Sequence, residues 1–406
     1  MTDRYDVIVI GARCAGAPTA MLLARHGYRV LLVDKAAFPS DAMSTHVVHP
    51  PGVAALQRWG VLDRLVATDC PPIEGYSLDL GPVTLTGSPH PVDGVSVAYC
   101  PRRTVLDKLL VDAAVEAGVE VREGFNVESI LANDAGTVIG VRGRSSAGGV
   151  VTDRASVVVG ADGRHSLLAR TVRPEQYHER PSRMAMYYAY WSGLDIGAFA
   201  TTVRADRRRG WAAAPTHDGL TVIGFGWPID EFHQNRGDVE GNFLAAIELE
   251  PGFAERVHAA RRESRFVGTA ELGGYLRKPF GPGWALVGDA GYHKNPITAM
   301  GISDAFRDAQ LVSGAIDQAL TQRRPYDEAM GDYQRQRDRH VASIYELTDD
   351  FARLAPPPPE RQQLLGAISD DQEAMDAFIS VTAGTLPAEQ FFAPENASRM
   401  LRAVAA

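Results

Sequence analysis

Only three cysteines occur in 406 residues, Cys14, Cys70 and Cys100. Their wide spacing offers neither a disulfide framework nor a zinc knuckle, so no metal site is expected. No uninterrupted apolar run approaches the ~18 residues of a membrane-spanning helix, and no membrane span is expected. Basic residues do not predominate: 41 Lys and Arg stand against 50 Asp and Glu, a formal net charge of −9. That balance argues against nucleic-acid binding driven by phosphate neutralisation. Lysine is nearly absent, with only Lys35, Lys108, Lys278 and Lys294, and arginine takes its place, as GC-rich codon usage would produce. The opening MTDRYDVIVIG has Asp3 and Asp6 where an export signal needs basic residues, and its apolar run is too short for a signal core. With free cysteines, this leads to the expectation of a cytoplasmic protein. What is present is ordinary for a globular chain: 45% hydrophobic and 22% charged residues exclude disorder as the main state. At roughly 150 residues per domain the length suggests two or three domains.

Tyr5–Ile10 reads as a buried parallel strand. The turn Gly11-Ala12-Arg13-Cys14-Ala15-Gly16 follows at once, then a helix over Ala17–His26 closed by Gly27, then a second buried strand, Arg29–Asp34. Strand, turn, helix and strand within about 30 residues is the context a dinucleotide-binding fingerprint requires. Gly11 permits the tight turn and Gly16 lets the helix lie close on the sheet. The helix N-terminus offers N–H groups and a positive dipole to a pyrophosphate. Asp34 is placed to accept hydrogen bonds from ribose hydroxyls. Arg13 occupies the place of the middle glycine, so its side chain points away from the pyrophosphate or folds beside it. The motif alone also suits an ordinary βαβ unit.

A helix opens at Arg103, with Thr104 and Asp107 in the spacing of a capping box and Leu106, Leu109, Leu110 and Ala113 on its buried face. Arg103, just ahead of that cap, reads as a solvated charge or as a group reaching a phosphate or flavin edge. Val119–Val121 reads as another strand, followed by Phe125–Leu131, Val138–Arg142 and Val150–Asp153 as a small meander. Ala155–Val159 is a further buried strand running into Gly160-Ala161-Asp162-Gly163. Trp284–Val287 is another, meeting Gly288-Asp289-Ala290, then Pro296, Gly301 and an amphipathic helix over Ile302–Leu320. An Asp at a strand end can bind polyol hydroxyls, and a helix start near Gly301 can direct N–H groups at an anion. Each of these alone is only strand, turn and helix.

Together, in order and spacing over residues 5–320, the four elements resemble the FAD-dependent monooxygenases of the p-hydroxybenzoate hydroxylase type, the group A flavoprotein monooxygenases. Gly11–Gly16 with Asp34 is similar to that family's FAD fingerprint. Arg103 matches its FAD-contacting arginine, and Asp162-Gly163 its DG motif, associated with FAD and NAD(P)H. Gly288-Asp289, Pro296 and Gly301 match its GD motif, and Asp308-Ala309 its Asp–Ala pair. Several departures bring the chain nearer the geranylgeranyl-reductase-like branch. Arg13 replaces a glycine, Ala299 another, and Tyr292-His293 stands where Ala–His is commoner. The segments around Ser44-Thr45-His46 and His49-Pro50-Pro51-Gly52 replace an arginine-bearing loop.

The resemblance implies an α/β fold: a Rossmann-like FAD-binding domain of glutathione-reductase type, an inserted antiparallel β-sheet substrate domain, and a helical C-terminal region. The corresponding ranges are 1–174 plus 276–325, 175–275, and 326–406. It implies FAD as cofactor, held by Gly11, Ala12, Arg13, Cys14, Ala15 and Gly16, by Asp34, Lys35, Thr45, Arg103 and Val127, by Asp162 and Gly163, and by Gly288, Asp289, Pro296, Met300, Gly301 and Ile302. NAD(P)H would be co-substrate. The activity implied is insertion of one oxygen atom from O2 into a small aromatic metabolite through a flavin C4a-hydroperoxide. Reduction of isoprenoid double bonds is the alternative. A flavin-dependent halogenase fits less well, because Gly226-Trp227-Pro228-Ile229 departs from that family's Trp-x-Trp-x-Ile-Pro segment. Expected partners are the small molecule and O2, with a monomer or homodimer left open.

The substrate sheet is read in Arg183–Trp191, Thr201–Ala205, Gly210–Ala214, Leu220–Trp227 and Ser264–Leu272. Tyr188, Tyr190, Trp211, His217 and Phe225 are candidate pocket residues, with Met184, Met186 and Trp227 beside them; sheet core is the competing reading. His217 adjoins Asp218-Gly219 and reads as a solvated turn histidine. His46 and His49 are better candidates for catalysis, with loop packing as the alternative. Long helices are expected over Tyr326–Leu354, Glu360–Ala383 and Pro387–Ala405, with a four-proline break at Pro356–Pro359.

Overall fold

The computed structural model describes residues 4–146 and 148–403. Asp3 and Ala405, named above, lie outside the described residues. The central sheet has its parallel strands in the order Trp284–Leu286, Val150–Gly160, Arg4–Ile10, Val30–Val33, Glu120–Arg122. The two segments read separately as Val150–Asp153 and Ala155–Val159 form one 11-residue strand. Its first half pairs antiparallel with the meander strand Val138–Ser145 and its second half pairs parallel with Arg4–Ile10. A strand that changes partners along its length carries both patterns, which is why the sequence broke it in two.

Alternation along these strands sorts the apolar side chains into two cores. Val7, Val9, Val30, Leu32, Val157 and Val159 face the helices Gly16–Arg25, Arg103–Glu116 and Gly301–Leu320. Ile8, Leu31, Val33, Val158 and Leu286 face the meander and the short helix Leu167–Val172. Both faces are covered, so the central stretches, residues 7–10, 30–33 and 157–159, are apolar throughout.

A second sheet runs Arg261–Arg262, Met184–Ser192, Leu220–Pro228, Arg209–Pro215, Ala198–Arg204, Gly75–Asp79, Thr84–Gly87, with Val267–Thr269 also paired to Met184–Ser192. Two of its strands come from residues 75–87, which the sequence reading grouped with the first unit; Gly75–Asp79 joins by parallel pairing to Ala198–Arg204. The helices Val239–Ile247 and Pro251–Ala259 cover one face of this sheet.

The long helix Tyr326–Ala352 returns past the first sheet. Its Arg337, fully buried, donates to the Gly291 and Arg277 carbonyls and to Asp338, fixing the helix against the segment that follows Gly288-Asp289. Beyond it the expected helix 360–383 is two helices, Pro359–Ile368 and Gln372–Thr382, and the last is also split, into Ala388–Phe391 and Pro394–Ala403. Asp371 makes the first of these breaks by capping the Ala374 N–H at 3.2 Å.

Candidate functional site

Four parallel strands end at one edge of the first sheet, and the loop after each faces a common cavity of about 790 Å³.

After the first strand, Gly11 sits at φ +98°, and a Cβ built on Gly16 would lie 1.7 Å from the Gly11 carbonyl oxygen. The backbone there passes too close for any side chain, which brings the helix Gly16–Arg25 down onto the sheet with no side chain capping its N-terminus. Gly11, Arg13, Cys14 and Ala15 line the cavity, while Ala12 and Gly16 lie behind them. Asp34, from the second strand, ties this turn in place by accepting from the N–H of Ala12 at 2.7 Å and of Ala36 at 2.8 Å. Lys35, Thr45 and Val127 line the same cavity.

The Arg13 guanidinium is committed elsewhere. It donates to Asp107 at 2.6 Å and to the Ser40 side chain at 3.0 Å. Asp107 is fully buried and also receives Arg103 Nε at 3.0 Å and the Cys14 thiol at 3.3 Å. This corrects the capping-box expectation: no side chain caps the helix Arg103–Glu116, and Asp107 is the shared counter-ion of two arginines. Sequence reasoning missed that role, although the Arg–Asp i,i+4 spacing was a signal for half of it.

At the third strand end Asp162 accepts from the Leu167 N–H at 2.7 Å. Its other oxygen is buried without a protein partner, and burial pushes the carboxyl up from its ordinary value. Gly163 lines the cavity beside it, at φ +77°. At the fourth, a Cβ on Gly288 would lie 2.7 Å from the Cβ of Ala15, so this loop presses directly on the first. Asp289 lines the cavity, is exposed, and its carboxylate has no partner among the described residues. Pro296, Gly301 and Ile302 complete this wall. Met300 turns away into the apolar core of the C-terminal helices.

The donor set fits FAD. Close-packed glycines leave room at a helix N-terminus for a pyrophosphate, carboxylates at two strand ends suit ribose and ribityl hydroxyls, and one face of Arg103 lines the cavity. The same wall carries a buried charge cluster the sequence reading did not assemble. Lys294 pairs with Asp304, and Arg307 bridges Asp304 at 2.7 Å to Asp308 at 2.7 Å. Burial acts to raise the Asp304 carboxyl, but Lys294 and Arg307 outweigh it and hold it below its usual range.

His46 and His49 are both buried, and neither lines the cavity. The His46 Nε2 meets the Tyr190 hydroxyl at 2.8 Å, with the ring set edge-on to Tyr188 and Tyr190. His49 donates from Nε2 to the Thr298 carbonyl at 3.1 Å and accepts at Nδ1 from the Tyr76 hydroxyl at 2.9 Å. Burial, reinforced by Arg103 and Arg102, pushes His46 down to about 3; burial pushes His49 down to about 4. Both rings are therefore neutral in the folded protein at pH 5, where the unfolded chain protonates them. Between pH 6.5 and about 4 the unfolded state binds the extra protons, so stability falls as pH falls, by about 1.4 kcal/mol per pH unit for each ring. Urea titrations at pH 7 and pH 5 measure this, and His49→Gln is expected to make the slope shallower by one ring's share.

Of the other candidates, Tyr188 lines the cavity; Tyr190 does not, and its hydroxyl is held by His46. Trp211 and Phe225 do not reach it. They stand on the opposite face of the second sheet, packed on Phe253 and Phe243, and Trp227 joins them. The alternation of the strand decides this: Phe225 sits between Gly224 and Gly226, so the cavity face at those neighbours carries no side chain. Phe225→Ala is expected to cost about 3–5 kcal/mol in chemical denaturation while leaving bound FAD per chain unchanged. His217 is not a solvated turn residue but buried, joined to Thr68 at 2.8 Å and to the Arg102 N–H at 3.2 Å. The contact to Thr68 crosses 149 residues of chain, beyond any local signal.

Among the described residues no helix is long and apolar enough to cross a membrane, and no group of three or more potential ligands could hold a metal. The chain is 27% identical to a menaquinone reductase of Mycolicibacterium smegmatis over 77% of its own length and 76% of the relative's. It is also 27% identical to the 6-methylpretetramide 4-monooxygenase of Streptomyces rimosus, over 78% and 76%. The solved structure of the flavin-dependent brominase Bmp2 superposes with a TM-score of 0.82 at 19% identity, covering 99% of this chain and 98% of that one. These relatives differ in reaction. The FAD binding domain family matches residues 4–348, and the chain belongs to it: an FAD-dependent oxidoreductase.

Proposed function

We propose that the protein is an NAD(P)H-consuming monooxygenase that places one atom of O2 into a small aromatic metabolite. The observation that carries this reading is the course of the cavity. It does not end at the four loops but continues beneath the second sheet, where Tyr188, Ala212 and Gly224 face it.

Cys14, Ala15 and the helix start behind them would take the FAD pyrophosphate, Asp34 a ribose, Asp289 the ribityl chain, and Arg103 and Asp162 the remaining polar edges. FAD, when bound, supplies hydride acceptance from NAD(P)H and activation of dioxygen. The chain's part is to orient and to keep the chamber dry. Helix Gly301–Leu320 points its N-terminus at the cavity and favours negative charge there. The sheet face above it brings no Lys, Arg, His, Asp or Glu side chain among the described residues, so it holds little water. His46 and His49 serve as neutral wedges that fix Tyr190 and Tyr76, rather than as bases.

The test is incubation of the FAD-loaded protein with NADPH or NADH, isotopically labelled dioxygen and a panel of phenols and anilines. Substrate-stimulated nicotinamide oxidation with one labelled oxygen in the product is expected. Nicotinamide oxidation with no oxygenated product, or turnover of an isoprenoid alkene under nitrogen, overturns the reading.

A further inference from the structure

The part of the cavity beneath the second sheet has a definite shape, set by which side chains stand on the inner face of four adjacent strands. One row of paired residues reads Tyr188, Gly224, Ala212, Thr201. The next holds Tyr190, Val222 and Ala214. Large side chains therefore stand on an outer strand, and the two central strands carry only hydrogen, methyl or isopropyl groups. A Cβ on Gly224 would come no closer than 3.9 Å to any atom, so space lies over that position.

Strands are about 4.8 Å apart, so Tyr188 and Phe199, which line the cavity from strands three spacings distant, bracket a hollow roughly 14 Å wide. Along the strands it is short. One row further, the place above Gly210 is taken by Leu354, whose Cδ2 lies 3.1 Å from where a Cβ would be, and the place above Gly226 by the Met184 methyl. In the other direction Phe199 is backed by His49 and Tyr76, with ring centroids 6.0 and 5.7 Å away. Ala212 and Ala214 span the open stretch, roughly 7 Å of strand. The hollow is a wide, short slot and not a tunnel.

Its electrostatics are equally restrictive. None of the cavity-lining side chains on these strands is ionisable apart from tyrosine, and the Lys294 ammonium at the opposite wall is already paired with Asp304. A carboxylate under this sheet would lose its hydration with no cation on these strands to replace it, and Arg103, which lines the cavity, is already held by Asp107.

Resting on the monooxygenase reading of this cavity, we infer that the substrate is an uncharged fused-ring aromatic lying flat across Gly224 and Ala212, and that these two positions set specificity by leaving the slot open. A single-ring acid lacks the breadth to fill the slot and carries the wrong charge. A polyprenyl chain needs length where Leu354 and Met184 stop it.

Calorimetric titration of the oxidised, FAD-loaded protein tests this without turnover. The probes are 9-phenanthrol, 4-hydroxybenzoate and farnesol. 9-Phenanthrol is expected to bind at least tenfold more tightly than either of the others. Gly224→Leu and Ala212→Leu are each expected to weaken it at least tenfold, with bound FAD per chain and far-ultraviolet circular dichroism unchanged. If one leucine variant fails to fold, the other carries the comparison. Absence of 9-phenanthrol binding, equal or tighter binding of 4-hydroxybenzoate or farnesol, or leucine variants that bind 9-phenanthrol as well as the parent overturns the inference. Because no NAD(P)H or O2 is needed, failure of the oxygenation assay with these binding results intact would sink only the reaction.

Discussion

Gly16→Ala is expected to yield a colourless protein. The added methyl would lie 1.7 Å from the Gly11 oxygen and 3.0 Å from the Ala161 Cβ. The first of these neighbours is backbone, so no rotamer change relieves the clash, and the helix Gly16–Arg25 must lift from the sheet. The N–H groups that would meet the pyrophosphate move with it. We expect FAD affinity to fall at least 100-fold, about 2.7 kcal/mol or more. Gly27→Ala is the matched control. Gly27 has a positive φ, +91°, which Gly16 does not, but nothing lies within 4 Å of its missing Cβ. It should lose roughly 1 kcal/mol of stability and none of its flavin. Flavin absorbance per chain after purification, and fluorescence titration of the apoprotein, measure both. A yellow Gly16→Ala protein with normal affinity would show that the turn does not hold the cofactor.

Asp107→Ala is expected to destabilise the fold as strongly as Phe225→Ala. The carboxylate has no exposure and answers two guanidiniums, with Arg103 itself only 9% exposed along its side chain. Removing one partner of a buried pair leaves an uncompensated charge, at a cost of about 3–5 kcal/mol. The loss should appear in urea denaturation of the apoprotein, and FAD binding should weaken because Arg103 and Arg13 both lose their anchor. Glu116→Ala on the same helix is the contrast. Its pairing with Arg64 is exposed to solvent, so less than about 1 kcal/mol should be lost. Equal effects of the two substitutions would mean that the buried triad contributes no more than a surface pair.

The loops after Ile10, Val33, Gly160 and Leu286 were legible because each is a local unit. An apolar strand, a turn containing glycine or aspartate and a following helix or strand lie within a few residues of one another. The roles of Asp107 and His217 were not, because their partners come from distant segments: Arg13 is 94 residues from Asp107, and Thr68 is 149 from His217. The C-terminal helices were found but joined across Asp371, whose capping role resembles an ordinary exposed acid in a charged stretch.

The sequence by itself determined the cofactor-binding framework, since glycine and aspartate at strand ends leave few alternatives for the backbone. Only the tertiary structure decided which residues face the substrate space. Met184–Ser192 and Leu220–Pro228 are apolar on both sides, because helices Val239–Ile247 and Pro251–Ala259 bury one face and the cavity shelters the other. With charged residues absent from both faces, alternation carries no sign, and Tyr188 inside could not be told from Phe225 outside until the second layer was in place.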